Sequence, residues 1–168
     1  MRVDDSNQRP GGATDDGKVG AFDRERRGWH ELIAVVGVLT PEDVLEPGYY
    51  TDPDWCVRDV VAHIGTWLAE GQVQLERIGA GTYGRTEIDI DAVNAELLEG
   101  MKGEPWDVTW TQAQAARTVL LQVWRDLELH TDDAHWWIAK SGPDHYAEHL
   151  PRLRAWTDEL VARRTRTT

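Results

Sequence analysis

The chain has 168 residues, and its 30 Asp and Glu outnumber its 18 Lys and Arg, which gives a formal net charge of −12. This length is enough for one domain with a buried core. The acidic balance argues against a nucleic-acid partner, because phosphate binding needs a basic face. The single cysteine excludes an internal disulfide framework and a four-cysteine zinc site. No apolar run reaches the ~18–20 residues that a membrane helix needs.

Residues 1–20 are polar, rich in Gly and Asp, and contain no apolar segment of the kind found in secretory signals. We expect them to form a disordered leader. We expect residues 21–168 to form one domain and the protein to be cytoplasmic.

The first half of the domain shows two helical patterns. A first helix is predicted over residues 23–38 and a second over residues 57–78, with a short helical turn at residues 40–43. The apolar stripe of the first helix is Phe22, Trp29, Leu32, Ile33 and Val36. The stripe of the second is Val57, Val60, Val61, Ile64, Trp67, Leu68 and Leu75.

A long connection follows the second helix and contains an acidic helical stretch over residues 89–101. The third main helix is predicted to start at Thr109 or Thr111, because Thr109 and Gln112 match a capping box. Its stripe is Ala113, Ala116, Val119, Leu120, Val123 and Leu127.

The last part of the chain is predicted to be a loop followed by a fourth helix. Residues 130–142 break the helical period, and Gly142-Pro143 then opens the helix. Its inward residues are Tyr146, Leu150, Leu153, Trp156 and Leu160. Pro151 projects away from this stripe, so we expect only a modest kink. The sequence therefore predicts an all-α protein, a four-helix bundle with a long connection between helices two and three.

Three histidines form a candidate metal site. His145 and His149 are four residues apart on the fourth helix, so both imidazoles can reach one ion. His63 lies at the edge of the second helix's stripe and could face them. Three protein ligands with an open fourth position are typical of a catalytic zinc-type site.

Alternative interpretations of these histidines remain open. A histidine pair on a helix is often only polar surface, and an imidazole at a stripe edge often satisfies a neighbouring group. Glu148 does not make a metalloprotease motif, because the general base of that motif directly follows the first histidine. His130 and His135 are interpreted as part of a solvated loop, and His30 as exposed.

The sequence resembles DinB-like proteins, which include the N-terminal domain of mycothiol-dependent maleylpyruvate isomerase. Residues 55–64, WCVRDVVAHI, are similar to that group's W-[ST]-x-x-D-x-x-x-H segment. Residues 145–149, HYAEH, followed by Leu153 and Trp156, are similar to its final helix. The resemblance covers residues 22–163. Cys56 departs from it, standing where a Ser or Thr cap is usual. Either this substitution is neutral, or Cys56 is a reactive thiol whose pKa is lowered by the helix N-terminus.

The resemblance implies a DinB-type four-helix bundle in which His63, His145 and His149 hold a divalent metal, zinc in the first place or nickel. It implies a small-molecule substrate, a cofactor thiol such as mycothiol, and homodimers like those of many relatives. Asp59 could hydrogen-bond to a ligand histidine, although a capping role explains it as well. Five aromatic residues are candidates to wall the pocket: Trp67, Trp136, Trp137, Tyr146 and Trp156.

The predicted function is that of a metal-dependent enzyme. Its ion would activate a thiol cofactor or water for S-transfer, isomerisation or hydrolysis of a small electrophile. The alternative is a non-catalytic protein that binds small molecules or confers resistance to stress or a toxin.

Overall fold

The structure, a computed structural model, describes residues 15–51, 54–85 and 89–167. Its helices are α1 (Asp15–Val36), α2 (Val57–Gly79), α3 (Ile90–Met101), α4 (Trp106–Asp126), α5 (Asp132–Ser141) and α6 (Pro143–Thr167). A 3₁₀ turn (Asp43–Leu45) and an antiparallel ribbon of β1 (Tyr50–Thr51) and β2 (Asp54–Trp55) connect α1 to α2. The predicted all-α helical bundle is confirmed.

Helix α2 is the centre of the bundle. Its apolar stripe is almost fully buried, and it packs against α4 on one side and α5 on another, while α1 packs along α6. The inward residues of α6 are Tyr146, Leu150, Leu153, Trp156 and Leu160, as predicted. Pro151 is exposed on the opposite side of α6. This packing brings the first two turns of α6 against the second turn of α2.

Helix α1 begins at Asp15, so residues 15–20 belong to a helix and the prediction of a leader over residues 1–20 is wrong for them. Val19 and Gly20 are exposed, so the described residues in this first part of α1 form no buried apolar stripe that the sequence could have revealed. Residues 1–14 lie outside the described part of the chain.

Helix α4 begins at Trp106, before either predicted start. Thr109 is not a cap: it is 1% exposed and faces the core, and Pro105 occupies the capping position.

The prediction of a loop over residues 130–142 is wrong, because most of this segment is α5. The hydroxyl of Thr131 caps that helix by accepting a hydrogen bond from the backbone N–H of Ala134 at 3.2 Å.

Across the described ranges, no helix combines the length and the apolar character that crossing a membrane requires.

Candidate metal centre

The three predicted histidines meet at one point between α2 and α6. His63 lies in the second turn of α2, and His145 and His149 lie in the first two turns of α6. Nε2 of His145 is 2.9 Å from Nε2 of His63 and 3.1 Å from Nε2 of His149. One ring nitrogen from each residue lies within 4.8 Å of the other two. Helical spacing and the packing of α6 on α2 therefore build a three-nitrogen cluster that could hold a metal ion.

Burial keeps these imidazoles neutral. It lowers the pKa of His63 to about 3, helped by the nearby charge of His149 when that ring is protonated. Burial also lowers the pKa of His145 well below its usual range, and lowers the pKa of His149. Neutral imidazoles present the lone pairs that a metal ion needs, so little proton competition opposes binding near neutral pH.

The donor set fits a divalent transition metal. Imidazole suits zinc and nickel, and tetrahedral coordination with Zn–N bonds of about 2.0–2.1 Å separates ligand nitrogens by about 3.3 Å. The separations of 2.9 and 3.1 Å are a few tenths of an ångström shorter than this. Nδ1 of His145 is buried and has no hydrogen-bond partner among the described residues.

Tyr49 supports His149 from the loop before β1. Its side chain is 1% exposed, and its hydroxyl lies 3.4 Å from Nδ1 of His149 and donates to the carbonyl of His149 at 3.3 Å. Arg152 donates to the carbonyl oxygens of Gly48 and Tyr49 at 3.0 and 2.8 Å. Gly48 has φ +116°, and an added Cβ would lie 2.8 Å from the Trp156 ring, so this turn requires glycine.

Asp59 lies in the first turn of α2 and caps its N-terminus. No hydrogen bond joins Asp59 to His63 in the described chain. Its carboxylate accepts from the backbone N–H of Cys56 at 2.9 Å, from Cys56 Sγ at 3.1 Å, and from Arg58 at 2.8 Å. Burial tends to raise the pKa of Asp59, but these hydrogen bonds and the charge of Arg58 lower it. Its capping role is thus observed, and the predicted contact with a ligand is not.

The surroundings of the Cys56 thiol disfavour its ionisation. Cys56 is 4% exposed, and burial together with the hydrogen bond to Asp59 raises the pKa of its thiol to about 11. A helix N-terminus alone would have the opposite effect. The interpretation of Cys56 as a neutral departure from the capping residue agrees with this geometry.

A small cavity adjoins the cluster. It lies between α2, α3 and β2, and its walls include Trp55, Asp59, His63, Asn94 and Met101. Its volume of about 10 Å³ is close to what one water molecule needs. His63 is the histidine of the cluster that faces this cavity.

Most of the aromatic residues predicted to wall the pocket lie away from the cavity. Trp67 lies beside the cluster, with its ring centroid 6.4 Å from that of His145. The other four do not line the cavity. Trp136 is half exposed on α5, and the N–H of Trp137 donates to the hydroxyl of Tyr83 at 3.1 Å. Tyr146 and Trp156 fill the core, so their prediction as pocket walls is wrong for this cavity.

The remaining histidines do not join the cluster. His30 is exposed, as predicted. His130 and His135 both pack edge-on against Trp124, and Nε2 of His130 lies 2.8 Å from the carbonyl oxygen of Trp124. They are packing residues around a buried tryptophan rather than members of a solvated loop.

Sequence reasoning missed two further features near the site. Asn94 accepts a hydrogen bond from Nε1 of Trp67 at 2.9 Å. Glu25, fully buried on α1, binds Arg117 of α4 through two contacts of 2.6 Å and accepts from the hydroxyl of Tyr146 at 3.0 Å. An ion pair between two helices that are far apart in the chain, such as Glu25 with Arg117, leaves no local pattern in the sequence.

No protein-family model matches the chain, and no curated protein matches it. An uncharacterised protein from Escherichia coli UTI89 has a similar solved structure, with a TM-score of 0.70 over 84% of this chain and 93% of that chain. The two sequences are 16% identical, so this likeness shows the fold alone.

Proposed function

We propose that this protein is a metal-dependent enzyme of the DinB-like group, acting on a small electrophilic molecule by S-transfer, isomerisation or hydrolysis. The observation that carries the proposal is the convergence of three neutral imidazoles, His63, His145 and His149, beside a cavity. A divalent ion held there, with zinc preferred over nickel, would lower the pKa of a cofactor thiol such as mycothiol, or of water, and supply a nucleophile near neutral pH.

The chain's own residues hold and shield this centre. Nε2 of each imidazole is directed at the common point, and the Tyr49 hydroxyl supports Nδ1 of His149. Trp55 and Trp67 flank the cluster, with ring centroids 5.3 Å from that of His63 and 6.4 Å from that of His145. A substrate would approach from the side of His63, because this ring is less buried than those of His145 and His149.

Metal analysis of protein purified without a histidine tag tests the proposal. We expect about one zinc or nickel per chain, lost in the variant His149→Ala. The variant His30→Ala is the matched control, because it removes an exposed histidine from α1 and leaves the cluster intact. Unchanged metal content in His149→Ala would contradict the assignment of the site.

Activity is tested with a chromogenic electrophile, with and without added mycothiol. We expect conjugation that depends on both the thiol and the metal, or metal-dependent hydrolysis without the thiol. A protein that holds the metal and the electrophile without turnover would instead support the alternative of a non-catalytic binding protein.

A further inference from the structure

Arg152 fastens the turn that carries Tyr49 to helix α6. Its Nε donates to the carbonyl oxygen of Tyr49 at 2.8 Å, and its Nη2 donates to that of Gly48 at 3.0 Å. The guanidinium can make both bonds at once because its donors form a rigid, planar fork. The remaining nitrogen, Nη1, donates to the carboxylate of Glu159 on the same helix at 3.3 Å. All three nitrogens of the side chain are therefore in use, and two of them hold the backbone of the turn.

Aromatic contacts hold the same guanidinium group. Its carbon lies 5.3 Å from the ring centroid of Trp156 and 5.8 Å from that of Tyr49. A guanidinium above an aromatic face is attracted to the ring, and more strongly where water is excluded. Trp156 is 3% exposed. Arg152 thus contacts the turn through its backbone and through the ring of Tyr49 itself.

A second set of hydrogen bonds holds this turn without Arg152. The backbone N–H groups of Gly48 and Tyr49 both donate to the carbonyl oxygen of Trp55, at 3.2 and 2.8 Å. These bonds should keep the turn formed when Arg152 is substituted. What Arg152 adds is a link from the turn to α6 at a position three residues after His149, which is about one helical turn.

The position of the Tyr49 ring decides how His149 is held. The hydroxyl lies 3.4 Å from Nδ1 of His149 and 3.3 Å from its carbonyl oxygen. Both distances are at the long end of the hydrogen-bond range, so a shift of a few tenths of an ångström would break these contacts. A side chain that fixes the backbone of Tyr49 therefore controls whether they form.

We propose that Arg152 is a positioning residue of the candidate metal centre: it holds the Tyr49 hydroxyl against His149 and so favours the tautomer whose Nε2 lone pair faces the cluster. The inference rests on the proposed function, because it takes the three histidines to be metal ligands. The tautomer of His149, however, is also a property of the metal-free chain and can be measured there.

Proton–nitrogen correlation spectra of the imidazole rings in metal-free protein test the inference, because they show which nitrogen of His149 carries the proton. Wild type should carry it mainly on Nδ1. Arg152→Lys keeps the charge but replaces the fork by a single ammonium group, so it should raise the fraction of His149 protonated on Nε2. Arg154→Lys is the matched control on the same helix, where Arg154 pairs with Glu31 at a half-exposed site, and it should leave the tautomer unchanged. An unchanged tautomer in Arg152→Lys, an equal shift in both variants, or a wild type protonated on Nε2 would overturn the inference.

Zinc affinity, measured by competition with a chromogenic chelator, distinguishes positioning from a general effect on the fold. Arg152→Lys should weaken zinc binding about three- to tenfold, at or below the lower end of the range for residues that orient ligand histidines. In the Tyr49→Phe background the same substitution should have almost no further effect, because the hydroxyl through which Arg152 acts is already gone. Equal losses of affinity in the two backgrounds would show that Arg152 does not act through Tyr49 and would contradict the inference.

The two measurements separate this inference from the proposed function. If wild-type protein takes up no zinc but the tautomer of His149 depends on Arg152 as expected, the positioning role stands and the metal-dependent function fails. If zinc binds at the triad but neither the tautomer nor the affinity depends on Arg152, the inference fails and the proposed metal site stands.

Discussion

The hydroxyl of Tyr49 lies 3.4 Å from Nδ1 of His149, across 100 residues of chain, while Nε2 of the same ring lies 3.1 Å from Nε2 of His145. The phenol can donate to the carbonyl of His149 and accept from Nδ1–H at the same time. That arrangement favours the tautomer whose Nε2 lone pair points into the cluster. Outer contacts of this kind orient ligand histidines in metal sites.

We therefore predict that Tyr49→Phe weakens zinc binding by about tenfold or more, because the imidazole of His149 loses the partner that fixes its tautomer. Competition with a chromogenic chelator measures the affinity. Tyr146→Phe is the matched control: Tyr146 is equally buried and sits between two triad histidines in sequence, but its hydroxyl donates to Glu25. It should reduce stability by about 1.5–3 kcal/mol, because the lost hydrogen bond ends on a carboxylate, and leave zinc affinity unchanged. Equal zinc affinity in Tyr49→Phe and wild type would show that the phenol does not position His149.

The ion pair of Glu25 and Arg117 gives a prediction about stability. Glu25 has no exposed surface, and Arg117 also lies over the ring of Trp29, 5.1 Å from its centroid. Removing one partner leaves a buried charge uncompensated, so Arg117→Met should lower the free energy of unfolding by about 3–5 kcal/mol. Urea unfolding measures the loss.

Two controls separate this pair from ordinary surface charges. The double variant Glu25→Leu with Arg117→Met should lose less than the sum of the single variants, because no charge is stranded. Arg154→Met breaks the half-exposed pair with Glu31 and should cost less than about 1 kcal/mol. A loss of that small size in Arg117→Met would mean that Glu25 is not buried as an ion.

The long helices were predictable because their apolar stripes are long. The stripe of α2 spans about five turns, and the predicted bounds of the helix, residues 57–78, differ from Val57–Gly79 by one residue. The ten residues of α5 allow too few repeats for a pattern to be recognised, and Trp136 and Leu129 are apolar but exposed. Short helices of this kind are specified by tertiary packing more than by their own sequence.

The candidate site was predictable only where its residues follow helical spacing. His145 and His149 are one turn apart, so their common direction can be read from the sequence. Tyr49 reaches the cluster from a loop, and Asn94 reaches Trp67 across 27 residues. Such contacts depend on how helices and loops pack, which no local pattern encodes. Tryptophan content alone does not distinguish Trp156, which fills the core, from Trp55, which lines the cavity.

Cys56 gives a prediction about chemical reactivity. Burial and the hydrogen bond to Asp59 raise the pKa of its thiol from 9.0 to about 11, which lowers the thiolate fraction at neutral pH about a hundredfold. We expect iodoacetamide to modify native protein far more slowly than protein unfolded in urea. Comparable rates would show that the thiol is accessible and ionised in the folded state.

The same shift predicts a loss of stability in alkali. The folded-state pKa of about 11 lies above the unfolded value of 9.0, so the stabilisation is complete below about pH 9 and is lost as the pH rises towards 11. The loss approaches about 1.4 kcal/mol per pH unit within that window. Cys56→Ser is the control, because its hydroxyl can still donate to Asp59 but does not titrate there. Its stability should fall less steeply with pH than that of wild type.

Gly71 tests the contact between α2 and α5. In an open helix, Gly→Ala stabilises by roughly 0.5–1 kcal/mol. A Cβ on Gly71 would instead lie 2.7 Å from the Cβ of Ser141, with the Ser141 hydroxyl also in its path. We predict that Gly71→Ala lowers the free energy of unfolding by about 1–3 kcal/mol, because α5 must move away from α2. Gly100→Ala is the matched control, since an added Cβ in the last turn of α3 meets no atom within 4 Å and should not destabilise. If Gly71→Ala proves as stable as Gly100→Ala, the two helices do not approach as closely as the structure places them.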